Sequence, residues 1–156
     1  NYPMLRIALI HPDIPQNTGN IGRLCVGLDA ELHLVEPMGF ILDDKRIRKA
    51  GLDYWQDLKL VKHNSLEAFL EKTASKRLFF LTTKTSQLYT DVKYQKGDFL
   101  VLGSESKGLP EQLLEQQKDQ CVTIPMPGKV RSLNVSNATS VVAYEAYRQI
   151  STSQGS

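Results

Sequence analysis

A chain of 156 residues, 41% hydrophobic and 23% charged, has the size and balance of one folded domain, which argues against a disordered chain or a membrane protein. Its longest apolar runs, such as Leu78–Leu81, are too short to span a bilayer, and a net charge of +2 is too small to announce nucleic acid by itself. Cys25 and Cys121 are too few for a disulfide framework or a paired-cysteine zinc site, and His11, His33 and His63 lack ligand spacing, so no metal is implied. Arg6 and His11 interrupt the first apolar stretch, so no signal-peptide pattern opens the chain and a cytoplasmic protein is expected.

Leu5–Ile10 predicts a buried strand that stops at His11-Pro12. A helix follows, capped by Asn17 or Thr18, with Ile21, Leu24, Cys25 and Leu28 at i, i+3, i+4 and i+7. Leu32–Val35 predicts a second strand, and Asp43 opens a charged helical turn that Gly51 ends. That turn holds Lys45, Arg46, Arg48 and Lys49, which either form a solvated face or contact phosphate. Leu58–Lys62 predicts a third strand and Ser65–Lys72 a serine-led helix; Leu78–Thr83 and Phe99–Gly103 are further strands. A helix from near Pro110, a short strand at Val122–Ile124, a basic loop at Pro125–Arg131 and a long helix over Asn134–Ile150 complete the chain. Residues 1–150 form a single domain in this reading, and 151–156 a disordered tail.

Apolar strands alternating with helices predict an α/β three-layer sandwich around a mainly parallel sheet. Ligands bind such sheets beyond the carboxyl ends of the strands, where Asn17–Arg23, Gly103–Gly108 and Pro125–Asn134 would lie. Neither glycine segment is a dinucleotide or Walker loop, and Ser104 and Ser106 do not sit in a nucleophile elbow. Gly103–Pro110 could be a plain strand-to-helix turn, and Asn134, Ser136 and Asn137 plain helix caps. Arg23 falls about 200° around the helix from Ile21 and so faces solvent, a ligand or a partner subunit. The last helix carries Val135, Ala138, Val141, Val142, Tyr144, Ala146, Tyr147 and Ile150 on more than one face, which suggests a symmetric dimer.

Taken together, Asn17-x-Gly19-Asn20-x-x-Arg23, Gly103-Ser104-Glu105-x-x-Gly108-Leu109-Pro110, and Ile124-Pro125-Met126 followed by Ser132-Leu133-Asn134-x-Ser136-x-Ala138 resemble the three motifs of the SPOUT ribose 2'-O-methyltransferases. Glu36–Phe40, Asp43–Arg46, Gly51–Tyr54 and Tyr144–Ala146 extend the resemblance to the small single-domain branch that methylates the wobble nucleotide, position 34, of tRNA. Ser104 and Leu133 stand where that branch often has proline and methionine.

The resemblance implies a C-terminal deep trefoil knot, a homodimer with the active site at its interface, and S-adenosyl-L-methionine as cofactor. It places Leu81, Gly103, Ile124, Ser132 and Leu133 against the cofactor, and Arg23, Glu105, Ser132 and Asn134 in the catalytic set. Asn17, Lys45, Arg46, Arg48, Lys107, Arg131 and Tyr144 are the candidates for contact with the tRNA anticodon stem-loop, with Lys84 and Lys129 beside them. A methyltransferase of ribosomal RNA or of another tRNA site, and a noncatalytic RNA-binding protein on the same fold, are the alternatives.

Overall fold

The computed structural model describes residues 2–43, 45 and 53–154. Strand β1 (Leu5–Ile10) sends Ile7 and Leu9 to one face of a sheet and Ala8 and Ile10 to the other, and all four are buried. A strand covered on both faces has no use for polar alternation, which is why this run is apolar throughout except at Arg6. Strands β2 (Ala30–Val35), β3 (Lys59–His63), β4 (Leu78–Leu81), β5 (Phe99–Leu102) and β6 (Cys121–Val122) follow. They pair in the order β3-β2-β1-β5-β4-β6, and every pairing is parallel.

Helices α1 (Pro15–Leu28) and α4 (Val135–Gln154) cover one face, where Ile21, Cys25, Leu28, Val142 and Ala146 join Ile7, Leu9, Leu32 and Leu100. Helices α2 (Leu66–Lys72) and α3 (Glu111–Gln116) cover the other, where Phe69, Leu113 and Leu114 meet Ala8, Ile10, Phe80 and Val101. The three-layer α/β architecture is therefore as expected. No helix among the described residues is long and apolar enough to cross a membrane.

Caps account for several helix ends. Ser65 accepts a hydrogen bond from the Ala68 N–H at the start of α2. Asn134 Oδ1 accepts from the Ser136 and Asn137 N–H groups at the start of α4. Asp29 closes α1 in the left-handed region, with φ 56°, and its N–H reaches Cys25 O.

Other expectations fail locally. Neither Asn17 nor Thr18 caps α1: the helix begins at Pro15, whose fixed φ suits a first turn, and both polar residues are buried within it. Residues 151–154 are the last turn of α4 rather than a disordered tail, with the Ser151 and Thr152 hydroxyls bonded back to Tyr147 O and Arg148 O. Strand β3 ends at His63 and β6 covers Cys121–Val122. The charged turn expected between Asp43 and Gly51 lies outside the described residues apart from Asp43 and Lys45.

Topology decides where a site can form. From β1 the sheet grows through β2 and β3 in one direction and through β5, β4 and β6 in the other. The loops leaving β1 and β5 therefore diverge at their carboxyl ends and leave a crevice between them.

Candidate functional site

That crevice holds a cavity of about 530 Å³. Its lining brings together Asn17 from α1, Leu81 at the end of β4, Gly103, Glu105 and Lys107 after β5, Ile124 after β6, and Arg131, Ser132, Leu133 and Asn134 before α4. Segments more than 100 residues apart in sequence thus share one wall. Arg23, Lys45 and Tyr144 do not line it, and Arg46 and Arg48 lie outside the described residues.

The segment after β5 is a tight turn. Gly108 N–H donates to Ser104 O at 2.9 Å, Lys107 N–H donates to Ser104 Oγ at 3.0 Å, and Gly108 takes a φ of 68°, which favours glycine. Gly103 is needed for a different reason: a Cβ there would stand 2.0 Å from the Gly108 carbonyl carbon and 2.2 Å from Leu109 N. The strand end and the returning turn are in backbone contact.

This turn aims Glu105 at the start of α1. Its Oε1 accepts from Asp13 N–H at 3.0 Å, and its Oε2 accepts from Ile14 N–H at 3.0 Å and from Asn17 Nδ2 at 3.1 Å. A carboxylate 88 or more residues away in sequence therefore serves as the N-terminal cap of α1, where the exposed amides and the helix dipole favour negative charge. Ser106 Oγ donates to Asp13 Oδ2, and hydrogen bonding by Ser106, then Glu105, holds the Asp13 carboxyl below its ordinary range.

The chain of contacts continues. Asn17 Oδ1 accepts from Asn134 Nδ2 at 3.2 Å, while Asn134 Oδ1 caps α4. The three motif segments are thus joined through Glu105, Asn17 and Asn134, and the hydrogen-bond pattern fixes both amide orientations. Apolar side chains form much of the remaining wall: Leu81, Leu102, Leu109, Ile124, Leu133 and Ala138. Lys84, also on the lining, is paired with Glu111 at 2.8 Å; Lys107, Lys129 and Arg131 are exposed.

Residues 4–144 match the SpoU rRNA Methylase family. The chain belongs to this family. Among its relatives, an Escherichia coli (strain K12) protein named tRNA (cytidine(34)-2'-O)-methyltransferase is 50% identical over 94% of both chains. A protein of the same name from Saccharophagus degradans is 47% identical over 94% of this chain and 96% of its own. A solved structure described as giving insight into the 2-OH methylation of C/U34 on tRNA superposes with a TM-score of 0.87 at 43% identity, covering 94% of this chain and 96% of the other. A more distant SpoU methyltransferase from Streptomyces viridochromogenes, solved with its cofactor AdoMet, gives 0.80 at 25% identity over 96% of this chain and 61% of its own.

Two residues that brace this wall went unassigned in the sequence, Asp13 and Ser106, which hold the Glu105 turn. Outside the cavity, Tyr54, likewise unassigned, lies against Arg23, with its ring centroid 5.6 Å from the guanidinium carbon. Their roles depend on contacts across 31 to 93 positions, for which local spacing carries no signal. Tyr54 falls within the Gly51–Tyr54 block of the resemblance, which is the one pointer the sequence offers.

Proposed function

We infer that this chain transfers a methyl group from S-adenosylmethionine to the ribose 2'-hydroxyl of nucleotide 34 of tRNA. One observation carries the reading: the three motif segments form one hydrogen-bonded wall of the cavity in a chain 50% identical, over 94% of both lengths, to a named C34 enzyme. The family's description mentions rRNA, but the match along nearly the whole chain to relatives named for tRNA is the more specific guide.

The residues fit the cofactor. A cavity of about 530 Å³ lies in the range that holds drug-sized ligands, and its apolar patches beside strand-end backbone suit an adenosine and a methionine chain. Leu81, Gly103, Ile124, Ser132 and Leu133 would hold it, with the bare Gly103 backbone letting the two loops close on one another. When bound, S-adenosylmethionine supplies an electrophilic methyl on a sulfonium that becomes a neutral thioether.

The protein's own task is the nucleophile. As the 2'-hydroxyl attacks, its oxygen passes its proton to water or a neighbouring RNA phosphate and gathers negative charge, which a fixed donor or cation stabilises. Arg23 supplies that cation; a guanidinium is a poor literal base, so its contribution is electrostatic. In this reading Arg23, exposed and outside its own chain's cavity, acts across the interface of a homodimer. The exposed Tyr144 (53%) and Tyr147 (43%) on α4, packed edge-to-face, support such an interface beside α1. Glu105 and Asn134 are positioning residues, set by their capping roles, and Ser132 orders the loop. Lys45, Lys107 and Arg131, all exposed, would meet the anticodon stem-loop of cytoplasmic tRNA, whereas Asn17, buried with its amide bound to Glu105 and Asn134, braces the cavity wall instead of reaching RNA. In this reading the C-terminal side carries the family's trefoil knot, which the bond from Asn134 to Asn17 and the shared lining of the Gly103–Leu109 and Arg131–Asn134 loops support.

Incubation with labelled S-adenosylmethionine and total tRNA from a strain lacking the protein, followed by nucleoside mapping, tests this. Label at the 2'-oxygen of nucleotide 34 supports the assignment; label elsewhere redirects it to another RNA site, and cofactor binding without transfer to any RNA overturns the enzyme. Arg23→Ala should lower transfer by at least about 100-fold with cofactor affinity and dimerisation retained.

A further inference from the structure

The short 3-10 turn Asp53–Asp57 is pressed on the one part of α1 that carries Arg23. Tyr54 Oη donates to Gly19 O at 2.7 Å. Trp55 lies over Gly22 so closely that a Cβ there would stand 2.7 Å from Cζ3. Between these two anchors, the Arg23 guanidinium carbon sits 5.6 Å from the Tyr54 ring centroid. Among the described residues the Arg23 side chain makes no hydrogen bond or ion pair, and the Tyr54 ring is the group it meets.

An exposed arginine with no partner spreads over many rotamers, and a reaction that needs its charge at one oxygen must first collect it. A ring face removes that spread without consuming a donor, since a cation above an aromatic ring is held through its plane while the N–H edge stays free. A carboxylate partner would instead neutralise the charge and occupy the fork. Tyr54 is itself fixed by its bond to Gly19 O, one turn before Arg23 on the same helix, so ring and guanidinium move as one body. The bareness of Gly22 permits the close seat of the turn that makes this possible.

We propose that Tyr54 is a positioning residue for the methyl transfer, acting as an aromatic platform that holds the Arg23 guanidinium with its N–H edge free to meet the ribose oxygen. This rests on the assignment of Arg23 made above.

The test uses the full-length protein, S-adenosylmethionine and a tRNA methylated at position 34 by the wild type. Tyr54→Leu should lower the single-turnover rate about tenfold, with KM for tRNA and cofactor affinity close to wild type, whereas Tyr54→Phe, which keeps the ring and loses only the bond to Gly19 O, should stay within about threefold while losing about as much melting temperature as the Leu variant. Trp55→Leu, which loosens the same turn without touching Arg23, should lower melting temperature more than rate. A measurement on the wild type needs no variant: the Arg23 Nε–H group should show a higher NMR order parameter than that of exposed Arg131. An unchanged rate in Tyr54→Leu, equal rate loss in the Leu and Phe variants, rate loss matched by lost folding, or an Arg23 as mobile as Arg131 overturns the platform. A fully active Arg23→Ala overturns the assignment of Arg23 itself, and the platform with it.

Discussion

Two polar networks tie distant segments of this molecule together, one within the sheet and one at its carboxyl edge. In the first, Arg6 on β1 donates to Glu31 on β2 at 3.1 Å, Glu31 meets His33 Nε2 at 2.9 Å, and His33 Nδ1 meets His63 Nε2 on β3 at 2.8 Å. Phe69 and Phe99 pack edge-on against the rings, and Arg6 also reaches Gly97 O. In the second, Glu105, Asn17 and Asn134 join two helix starts to a turn. Both satisfy charged or amide groups across long sequence separations. The first closes on itself among aromatic rings, and the second borders a cavity. Position at the strand carboxyl ends, rather than the presence of histidines and carboxylates, separates a site from a stabilising cluster.

The strongest break of the contrast is on the site side and concerns backbone alone. Gly103→Ala places a methyl 2.0 Å from the Gly108 carbonyl carbon, which rotamer changes cannot relieve. Stability should fall by about 3 kcal/mol or more by urea denaturation, with cofactor binding lost in calorimetric titration. A wild-type midpoint would mean the two loops are not in contact.

A matched pair of isosteric changes sharpens it. Glu105→Gln turns one capping oxygen into an NH2 facing backbone N–H donors, and should cost about 1–3 kcal/mol together with a clear drop in transfer rate. Glu31→Gln weakens the contacts to Arg6 and His33 by a similar order but lies away from the cavity, so its rate per folded molecule should equal wild type. If both variants lose rate alike, the two networks are not functionally distinct.

The sequence made part of this division legible. Apolar runs and serine or asparagine caps marked β1, α2 and α4, because those signals act within a few residues. The strand order did not show, since parallel partners such as β1 and β5 are joined by nothing local. Asn17 illustrates the limit: its type and place near a helix start predicted a cap, yet a carboxylate 88 positions away caps that helix and binds the asparagine as well. The site's residue types were readable through the three-motif resemblance, whereas the geometry that makes Glu105 a brace, and Tyr54 a neighbour of Arg23, existed only once the chain folded.

The smallest effect concerns protons in the closed network. A Glu31 carboxylate only accepts, so His33 Nε2 carries the proton toward it and a neutral His33 presents a lone pair at Nδ1. His63 Nε2–H fills that lone pair, which leaves His63 Nδ1 as a buried acceptor with no partner among the described residues. Burial lowers the pKa of both rings, and for His63 the nearby His33 and Lys72 charges act in the same direction. The Glu31 contact raises that of His33 without overcoming burial. Burial likewise pushes Glu31 up, but His33 and Arg6 hold it below the usual carboxylate range, so it stays ionised well below neutrality. The unfolded chain therefore binds more protons than the native one once pH falls through the ordinary histidine value of about 6.5. Stability should decline on the acid side of that value and be flat above it. Urea midpoints measured from about pH 7.5 to about pH 5.5 should fall, and His63→Leu should shallow the slope because one of the two resisting rings is gone. The slope of Glu105→Gln should match wild type, since that network holds no histidine; a slope altered there but not in His63→Leu would place the proton-sensitive element at the cavity instead.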